Sequence, residues 1–411
     1  MKYEIQNTPQ LRFPGFNEYW KETLLNDVAE FRKGKGISKS DIIENGNLEC
    51  IRYGELYTTY NELILNVVSK TNLPLKGLEL SEYNDVIIPA SGETQLDIAT
   101  ASCVLKSGVA LSGDLNIIRS SLNGIFLSFY LNNKKKLEIA KLAQGSSVVH
   151  LYSSQLKSLK LNIPTLPEQQ KIASFLSAVD EKIQQLSRKK ELLAQYKKGI
   201  MQQLFSGKLR FKDENGDDYA DWERGSFSKY IKLYRGSSPR PIIKYVTTSE
   251  DGVNWIKIGD TKQSKNYRIS SVSEKITKKG SLKSRFVERG EIILANSMSF
   301  GKSYLLQIEG CIYDGWFVLR EYEKAYDKEF LLQVLNSEFL QRQYFRLSTG
   351  GVVQNISSEI VYSTLLFRPV IEEQQKIATF LSSIDAKIES TSQQINQTQS
   401  FKKGLLQQLF V

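Results

Sequence analysis

The sequence contains few of the residues that build disulfide frameworks or zinc sites. Only three cysteines occur in 411 residues, at Cys50, Cys103 and Cys311, and they are widely spaced, without a C-x-x-C pair. An odd number at such spacing argues against both a disulfide framework and a structural zinc site. We therefore expect three ordinary buried thiols and no bound metal.

Long apolar runs and N-terminal targeting features are also missing. No run approaches the roughly 18 apolar residues of a membrane span, and residues 1–4, MKYE, lack the basic and apolar regions of a signal peptide. The sequence therefore predicts a cytoplasmic protein. Its 41% hydrophobic content over 411 residues can fill two or more globular cores.

What the sequence does contain is an internal repeat. The segment EQQKIA at residues 168–173 recurs as residues 373–378, and residues 196–205 recur at the same offset as residues 401–410. Weaker matches pair residues 20–34 with 222–236, 51–55 with 256–260, 85–88 with 291–294 and 11–13 with 209–211. The repeating unit is thus a variable globular part followed by a nearly constant helical part.

Positive charge is concentrated in the second half. The net charge is +10, and residues 1–166 hold 18 basic and 17 acidic residues whereas residues 222–370 hold 23 and 15. A basic surface suggests an anionic partner such as nucleic acid. If the first half also binds nucleic acid, it must use a local patch such as residues 32–35, RKGK.

The constant parts are predicted to be long helices with a coiled-coil seam, because apolar residues alternate at spacings of four and three. In the first copy the seam residues are Ile172, Leu176, Val179, Ile183, Leu186, Leu193, Ile200 and Leu204. In the second copy they are Ile377, Leu381, Ile384, Ile388, Ile395, Leu405 and Leu409. The simplest arrangement packs the two helices on each other, and the alternative is two helices packed separately on their own domains.

The sequence alone allows parallel or antiparallel pairing, but two copies of one unit pair most simply about a two-fold axis, which favours antiparallel helices. At about 1.5 Å per residue, each helix is roughly 60 Å long and can act as a rigid spacer. The globular parts mix alternating strand-like runs with short helical stretches. We therefore predict an α+β protein, with two similar α+β domains separated by two antiparallel coiled-coil helices in pseudo-two-fold symmetry.

Motifs for catalysis are nearly absent. The only histidine, His150, falls opposite Asn355 in the repeat, so it is expected to be a polar loop residue. The segment GKS at residues 301–303 ends like a phosphate-binding loop, but Asn296 stands where such a loop needs glycine. With no glycine-rich loop following a strand, we expect no cofactor in this chain.

The repeated segments resemble the conserved helices of type I restriction-modification specificity subunits. The first reads PTLPEQQKIASFL at residues 164–176, then DEKI at 180–183 and KKGIMQQLF at 197–205, and the second copy covers residues 373–410. The resemblance extends to the organisation of the whole chain, because that family alternates two target recognition domains with two conserved helices.

The resemblance implies a non-catalytic DNA-binding subunit that joins two adenine-methylating modification subunits and, in the full enzyme, two ATP-dependent restriction subunits. S-adenosylmethionine, ATP and Mg would then bind only to those partners. Each recognition domain would read one half of a split target in double-stranded DNA, and the helices would fix the gap. The implied division is 1–163 and 222–368 for the recognition domains, 164–206 and 369–411 for the helices, and 207–221 for a linker.

Base reading in the major groove requires side chains that hydrogen-bond to base edges. In the first domain the candidates are Arg32, Lys33, Lys35, Arg52, Tyr53, Ser91, Thr94 and Gln95. In the second they are Arg235, Arg240, Lys257, Asn296, Ser297, Lys302 and Gln354.

Two other classes of function stay open. A stand-alone DNA-binding adaptor or regulator could use the same coiled coil and basic second half without a methyltransferase. A single-chain nuclease could be centred on Asp260 and Lys262, although the equivalent segment in the first repeat, residues 55–57, lacks the lysine.

Overall fold

The structure is a computed structural model that describes residues 8–145, 148–297, 301–348 and 355–411. The chain divides into two compact units, Met1–Leu186 with Gln394–Val411, and Ser187–Gln393. Each of two long helices therefore contributes one part to each unit.

The first unit combines short strands with short helices. Its strands are β1 Lys21–Leu24, β2 Ala29–Lys33, β3 Leu48–Ile51, β4 Leu63–Ile64, β5 Ser69–Thr71, β6 Glu79–Leu80, β7 Asp85–Pro89, β8 Ser91–Gly92, β9 Ser102–Val104, β10 Ala110–Leu111, β11 Leu115–Ser120, β12 Val149–His150 and β13 Lys160–Ile163. Its helices are α1 Leu25–Val28, α2 Glu55–Thr58, α3 Gln95–Ile98, α4 Gly124–Tyr130, α5 Lys136–Leu142 and α6 Ser153–Lys157, followed by the long helix α7 Leu166–Phe205. A 3₁₀ turn covers Lys39–Asp41, and a π-helical turn, Leu131–Lys135, joins α4 to α5.

The second unit has the same kind of elements. Its strands are β14 Glu223–Ser226, β15 Lys232–Arg235, β16 Val246–Thr247, β17 Val253–Ile256, β18 Arg268–Ile269, β19 Glu274–Ile276, β20 Arg285–Val287, β21 Ile292–Ala295, β22 Ser303–Leu306, β23 Gly310–Ile312, β24 Trp316–Arg320 and β25 Leu365–Arg368. Its helices are α8 Phe227–Tyr230, α9 Lys278–Ser281, α10 Lys328–Leu335, α11 Glu338–Ser348, α12 Ser358–Ser363 and the long α13 Ile371–Gln408, with 3₁₀ turns at Ile242–Lys244 and Ile258–Gln263.

The two units share one sheet topology. The order β2-β11-β7-β9-β4 in the first corresponds to β15-β24-β21-β22-β18 in the second, and in both only the last pair is parallel. The order β5-β3-β10-β6 corresponds to β19-β17-β23-β20, and β16 is added at the outer edge in the second unit. The prediction of two similar α+β domains is therefore confirmed.

A glycine fixes the same close approach in both units. Gly34 follows strand β2 and Gly236 follows β15, each at the edge of its five-stranded sheet. A Cβ at Gly34 would lie 1.9 Å from the carbonyl oxygen of Ser112, and one at Gly236 would lie 2.0 Å from that of Tyr313. No side chain fits at that distance, so the weak sequence match ending in these glycines reflects a steric requirement.

The long helices pair in antiparallel fashion, as predicted. In the first unit Ile172 near the start of α7 shares a core with Leu409 near the end of α13. In the second unit Leu204 near the end of α7 shares a core with Ile377 near the start of α13. Of the predicted seam residues, Ile172, Leu176, Val179, Leu186, Leu204, Ile377, Leu381, Ile384, Leu405 and Leu409 are buried, and Ile183, Leu193, Ile200, Ile388 and Ile395 are half-buried.

Equivalent ion pairs link the two helices. Lys402 lies 2.7 Å from Asp180 in the first unit, and Lys197 lies 2.7 Å from Asp385 in the second. All four side chains are less than one-fifth exposed. Burial raises the pKa of Asp180, against the opposing effect of the Lys402 ammonium.

The EQQ motif that opens each long helix holds the globular part in place. The Gln169 side-chain oxygen accepts from the amide of Asn123, the residue that caps α4, and Gln374 accepts from the amide of Asp327, which caps α10. The same glutamines donate to the backbone carbonyls of Pro164 and Pro369 respectively. The motif recurs because both copies need the same buried polar connections.

All three cysteines are free and buried, as expected. Burial raises the pKa of Cys50 to about 11 and that of Cys103 to about 12, so neither is a reactive thiolate at neutral pH. Within the described residues, no helix has the length and apolar character needed to cross a membrane.

Candidate nucleic-acid interface

The candidate interface begins where the chain leaves the central strands β7 and β21. The amide of Ala90 donates to the carbonyl of Asp114 at 2.7 Å, and the amide of Asn296 donates to that of Gly315 at 3.0 Å. Ala90 and Asn296 are therefore equivalent positions. The next residues, Ser91 and Ser297, are both among the predicted DNA contacts.

In the first unit, Ser91 is held against a short second strand. Strand β12 pairs with β8, so that His150 lies opposite Ser91. The hydroxyl of Ser91 lies 3.1 Å from His150 Nδ1. Ser91 itself is buried, whereas His150 is exposed, so the histidine and not the serine is presented to solvent.

The loop that follows Ser91 turns directly into helix α3. Thr94 caps this helix, accepting the amide of Asp97 at 3.1 Å and donating to its carboxylate at 2.6 Å. Gln95 is exposed in the first turn. Burial raises the pKa of Tyr57, and the charges of Tyr53, Glu93 and Asp97 raise it further. Tyr53 is half-buried and packs on the core cluster that contains Ile51 and Leu56.

The basic candidates of the first unit lie on two segments. Arg32 and Lys33 are exposed on the edge strand β2, and Lys35 is exposed just after it. Arg32 is 2.9 Å from Glu30, and Arg52 is 3.5 Å from Glu55. Exposed Lys33 and Lys35 form no ion pair among the described residues, so they fit best as the local basic patch.

In the second unit, three predicted residues converge on one polar cavity. Arg235, Asn296 and Ser297 line a cavity of about 560 Å³, together with Asn355 and Tyr313. Arg235 occupies the position of Lys33, since each immediately precedes the closely packed glycine. The edge strand and the loop after the central strand therefore meet here.

Asp314 organises the floor of this cavity. Its backbone carbonyl accepts hydrogen bonds from Asn296 Nδ2 at 2.9 Å and from Arg235 Nε at 3.3 Å. The Ser238 hydroxyl donates to its carboxylate, and Arg240 lies 3.7 Å from it. The hydrogen bond from Ser238, with the nearby arginines, lowers the pKa of Asp314. Asn296 is consequently a buried positioning residue, while Arg235 and Arg240 are exposed.

Two further predicted residues of the second unit, Lys257 and Lys302, do not line this cavity. Lys257 is half-buried and forms an ion pair with Glu274. Lys302 is half-buried, and burial lowers the pKa of its ammonium group. Gln354 lies outside the described residues.

Asp260, considered with Lys262 as a nuclease centre, has a structural role. Asp260 is buried, and its carboxylate accepts from the amide of Lys257 at 2.8 Å and from the amide of Ser273 at 3.0 Å. The equivalent Glu55 accepts the amide of Arg52 at 3.0 Å. Both carboxylates thus cap the turn after a central strand, and no group of three or more candidate metal ligands occurs in the parts of the chain that the structure describes.

Sequence reasoning did not select Asn355, His150 or Asp314 as site residues. The sequence predicts only a polar loop residue at His150, whereas the fold places this side chain against Ser91. The available signal was the alignment of His150 with Asn355, in which both residues carry hydrogen-bonding groups. Asp314 had no such signal, because its role depends on contacts with residues distant in sequence.

Comparison with known proteins identifies this architecture. A family model described as type I restriction modification DNA specificity domain matches residues 17–195 and 237–399. The type I restriction enzyme MjaVIII specificity subunit of Methanocaldococcus jannaschii is 25% identical, over 98% of this chain and 95% of its own length. A putative type I restriction enzyme MjaX specificity subunit of the same organism is 28% identical over 71% of this chain and 69% of its own.

A solved structure has the same fold. The type I restriction-modification S subunit from M. genitalium aligns with a TM-score of 0.60 at 16% identity, covering 98% of this chain and 99% of that one. Together, the family match over both repeats and the shared fold show that the chain belongs to the type I restriction-modification DNA specificity family.

Proposed function

We propose that this chain is the DNA-specificity subunit of a type I restriction-modification complex. Each of its two recognition domains reads one half of a split, asymmetric target in double-stranded DNA. The proposal rests on one observation. The two units share the same strand order and the same backbone hydrogen bonds, but they expose different side chains at equivalent positions. Lys33 and His150 in the first unit correspond to Arg235 and Asn355 in the second.

The division of labour follows from what is repeated closely and what is not. The helices keep the same residues in both copies because they make the same buried contacts, whereas the recognition domains have diverged on a common topology. In the proposal, residues 1–163 and 222–368 supply specificity, residues 164–206 and 369–411 set the gap between half-sites, and residues 207–221 link them.

The helices also scaffold the catalytic partners in this proposal. Two adenine methyltransferase subunits bind the chain and, in the full enzyme, two ATP-dependent restriction subunits join them. The chain itself performs no catalysis, and S-adenosylmethionine, ATP and Mg bind to the partners. A subunit that acts on chromosomal DNA in this way works in the cytoplasm.

A methylation map tests the proposal directly. The chain is produced in a host with its methyltransferase, and adenine methylation is mapped across the genome in parallel with a host carrying the methyltransferase alone. We expect methylation at a split, non-palindromic site only when this chain is present, because the two domains expose different side chains. One continuous palindromic site would refute the proposal that the two domains recognise different half-sites.

The same material separates the other two classes of function. A stand-alone adaptor would fail to co-purify with the methyltransferase and would leave the map unchanged. A single-chain nuclease would cut DNA in a metal-dependent way as the purified chain alone, and Asp260→Asn would abolish that cutting.

A further inference from the structure

His150 and Asn355 occupy one equivalent position in the two units. In both units the next residue donates its amide to the residue that follows the central strand. Leu151 donates to the carbonyl of Ala90 at 3.0 Å, and Ile356 donates to the carbonyl of Asn296 at 2.7 Å. Both His150 and Asn355 are exposed. The backbone geometry is therefore common to the two units, and the side chain that it presents differs.

In the first unit, contacts on several sides fix the backbone and ring of His150. Its amide donates to the carbonyl of Gln144 at 2.7 Å, and its carbonyl accepts the Gln144 amide at 2.9 Å. The ring contacts the Ser91 hydroxyl through Nδ1 and stacks against exposed Tyr152, with centroids 6.3 Å apart and planes 24° apart. Among the described residues nothing hydrogen-bonds to Nε2, so one ring nitrogen remains available to a ligand.

In the second unit, Asn355 lies at the polar cavity beside Arg235 and Ser297. Ser297 corresponds to Ser91, so both units place the same pair of positions together. The side chain of the buried Asn296 donates to the Asp314 carbonyl, and its backbone carbonyl accepts the amide of Ile356, so the backbone beside the exposed Asn355 is fixed. Base reading requires a defined position combined with free hydrogen-bonding groups. The fixed backbone supplies the position, and among the described residues no hydrogen bond occupies the Asn355 side chain.

We propose that His150 and Asn355 each read one base edge, one in each half of the DNA target. This inference rests on the proposed function and assigns specificity to two residues within it. Asn355 offers a donor and an acceptor side by side, the pattern that matches N7 and N6 of adenine. In the tautomer in which Nδ1 accepts the Ser91 hydroxyl, His150 carries its proton on Nε2 and can donate to a purine N7 or a carbonyl oxygen.

The test compares base preferences of the full chain, purified with its methyltransferase, on a pool of duplexes with randomised positions. His150→Ala should reduce discrimination about 5- to 150-fold at one position of one half-site. Asn355→Ala should do the same at one adenine of the other half-site. Asn355→Asp should shift that preference towards cytosine, because a carboxylate only accepts and the cytosine amino group donates.

Gln185→Ala, on the exposed face of α7, is the matched control and should leave every position unchanged. Thermal midpoints of all variants should equal the wild type, since both target side chains are exposed. A uniform loss of affinity at every sequence would mean a phosphate contact and overturn the inference, as would an unchanged profile. If the wild-type complex selects no sequence, the proposed function itself fails.

Discussion

At the scale of single residues, a buried carboxylate anchors the LRF segment of each repeat, at residues 11–13 and 209–211. Arg12 binds Glu168 through two hydrogen bonds of 2.8 Å, and Arg210 binds Glu373 through two of 2.9 Å. The glutamate side chains are at most 2% exposed. The glutamate of the EQQ motif is therefore the partner of the arginine in the LRF segment of each repeat.

Removing one partner of such a pair leaves a buried charge without compensation. We expect Arg12→Ala to lower the free energy of unfolding by about 3 to 5 kcal/mol. Arg188→Ala, which breaks an exposed pair with Glu191, should cost less than about 0.5 kcal/mol. Urea unfolding followed by tryptophan fluorescence and circular dichroism measures both, and similar small losses would show that the Glu168 site is hydrated.

At the scale of helices, Gly199 and Gly404 occupy equivalent interior positions of α7 and α13. Their repetition predicts close approach by another backbone or by a partner, because glycine costs a helix interior about 1 kcal/mol relative to alanine. A Cβ at either position would meet no atom within 4 Å among the described residues. Close packing of the described backbone against these glycines is therefore wrong as an explanation. Contact with the methyltransferase remains the proposal.

This gives a prediction with two readouts. Gly199→Ala should stabilise the isolated chain by up to about 1 kcal/mol, because it improves helix propensity without a clash. Gly199→Leu should leave the isolated chain folded and weaken co-elution with the methyltransferase on size exclusion. Ala178→Leu adds similar bulk at an exposed position of α7 and serves as the control. An unchanged complex for Gly199→Leu would count against partner contact.

At the scale of the whole molecule, charge is distributed unequally between the recognition domains. Residues 222–370 carry a net +8 against +1 for residues 1–166. Binding to phosphates releases counterions. The logarithm of the binding constant therefore falls linearly with the logarithm of the salt concentration, with a slope of about −0.9 per phosphate neutralised. Attraction that does not depend on sequence should therefore come mainly from the second domain.

Two double variants of the full chain test this asymmetry on one unrelated duplex. Arg235→Gln with Arg240→Gln should reduce the salt slope by about 1 to 2. Lys33→Gln with Lys35→Gln removes the same charge from the first domain and should reduce the slope less. Equal reductions in salt titrations would show that local patches, and not net domain charge, determine phosphate binding.

The sequence alone determined the repeat and the helix seams, whereas it left the antiparallel pairing as the simplest expectation, which the structure decided. These features depend on periodic burial and on copies that must make the same contacts, so they are visible as spacing and identity. Glu168 and Glu373 illustrate the point, because both stand at fixed places in a recurring motif and bind equivalent arginines. The α+β character of each domain followed similarly from alternating runs.

Only the tertiary structure decided which polar residues meet at the loop that follows each central strand. Ser91 and Asn296 have the residue types of base readers, but they are buried and support their neighbours, whereas His150 and Asn355 are exposed. Asp314 joins Arg235 to Asn296 across some 60 residues of chain. Such contacts arise from strand order and backbone hydrogen bonds between distant segments, which leave no periodic trace in the sequence.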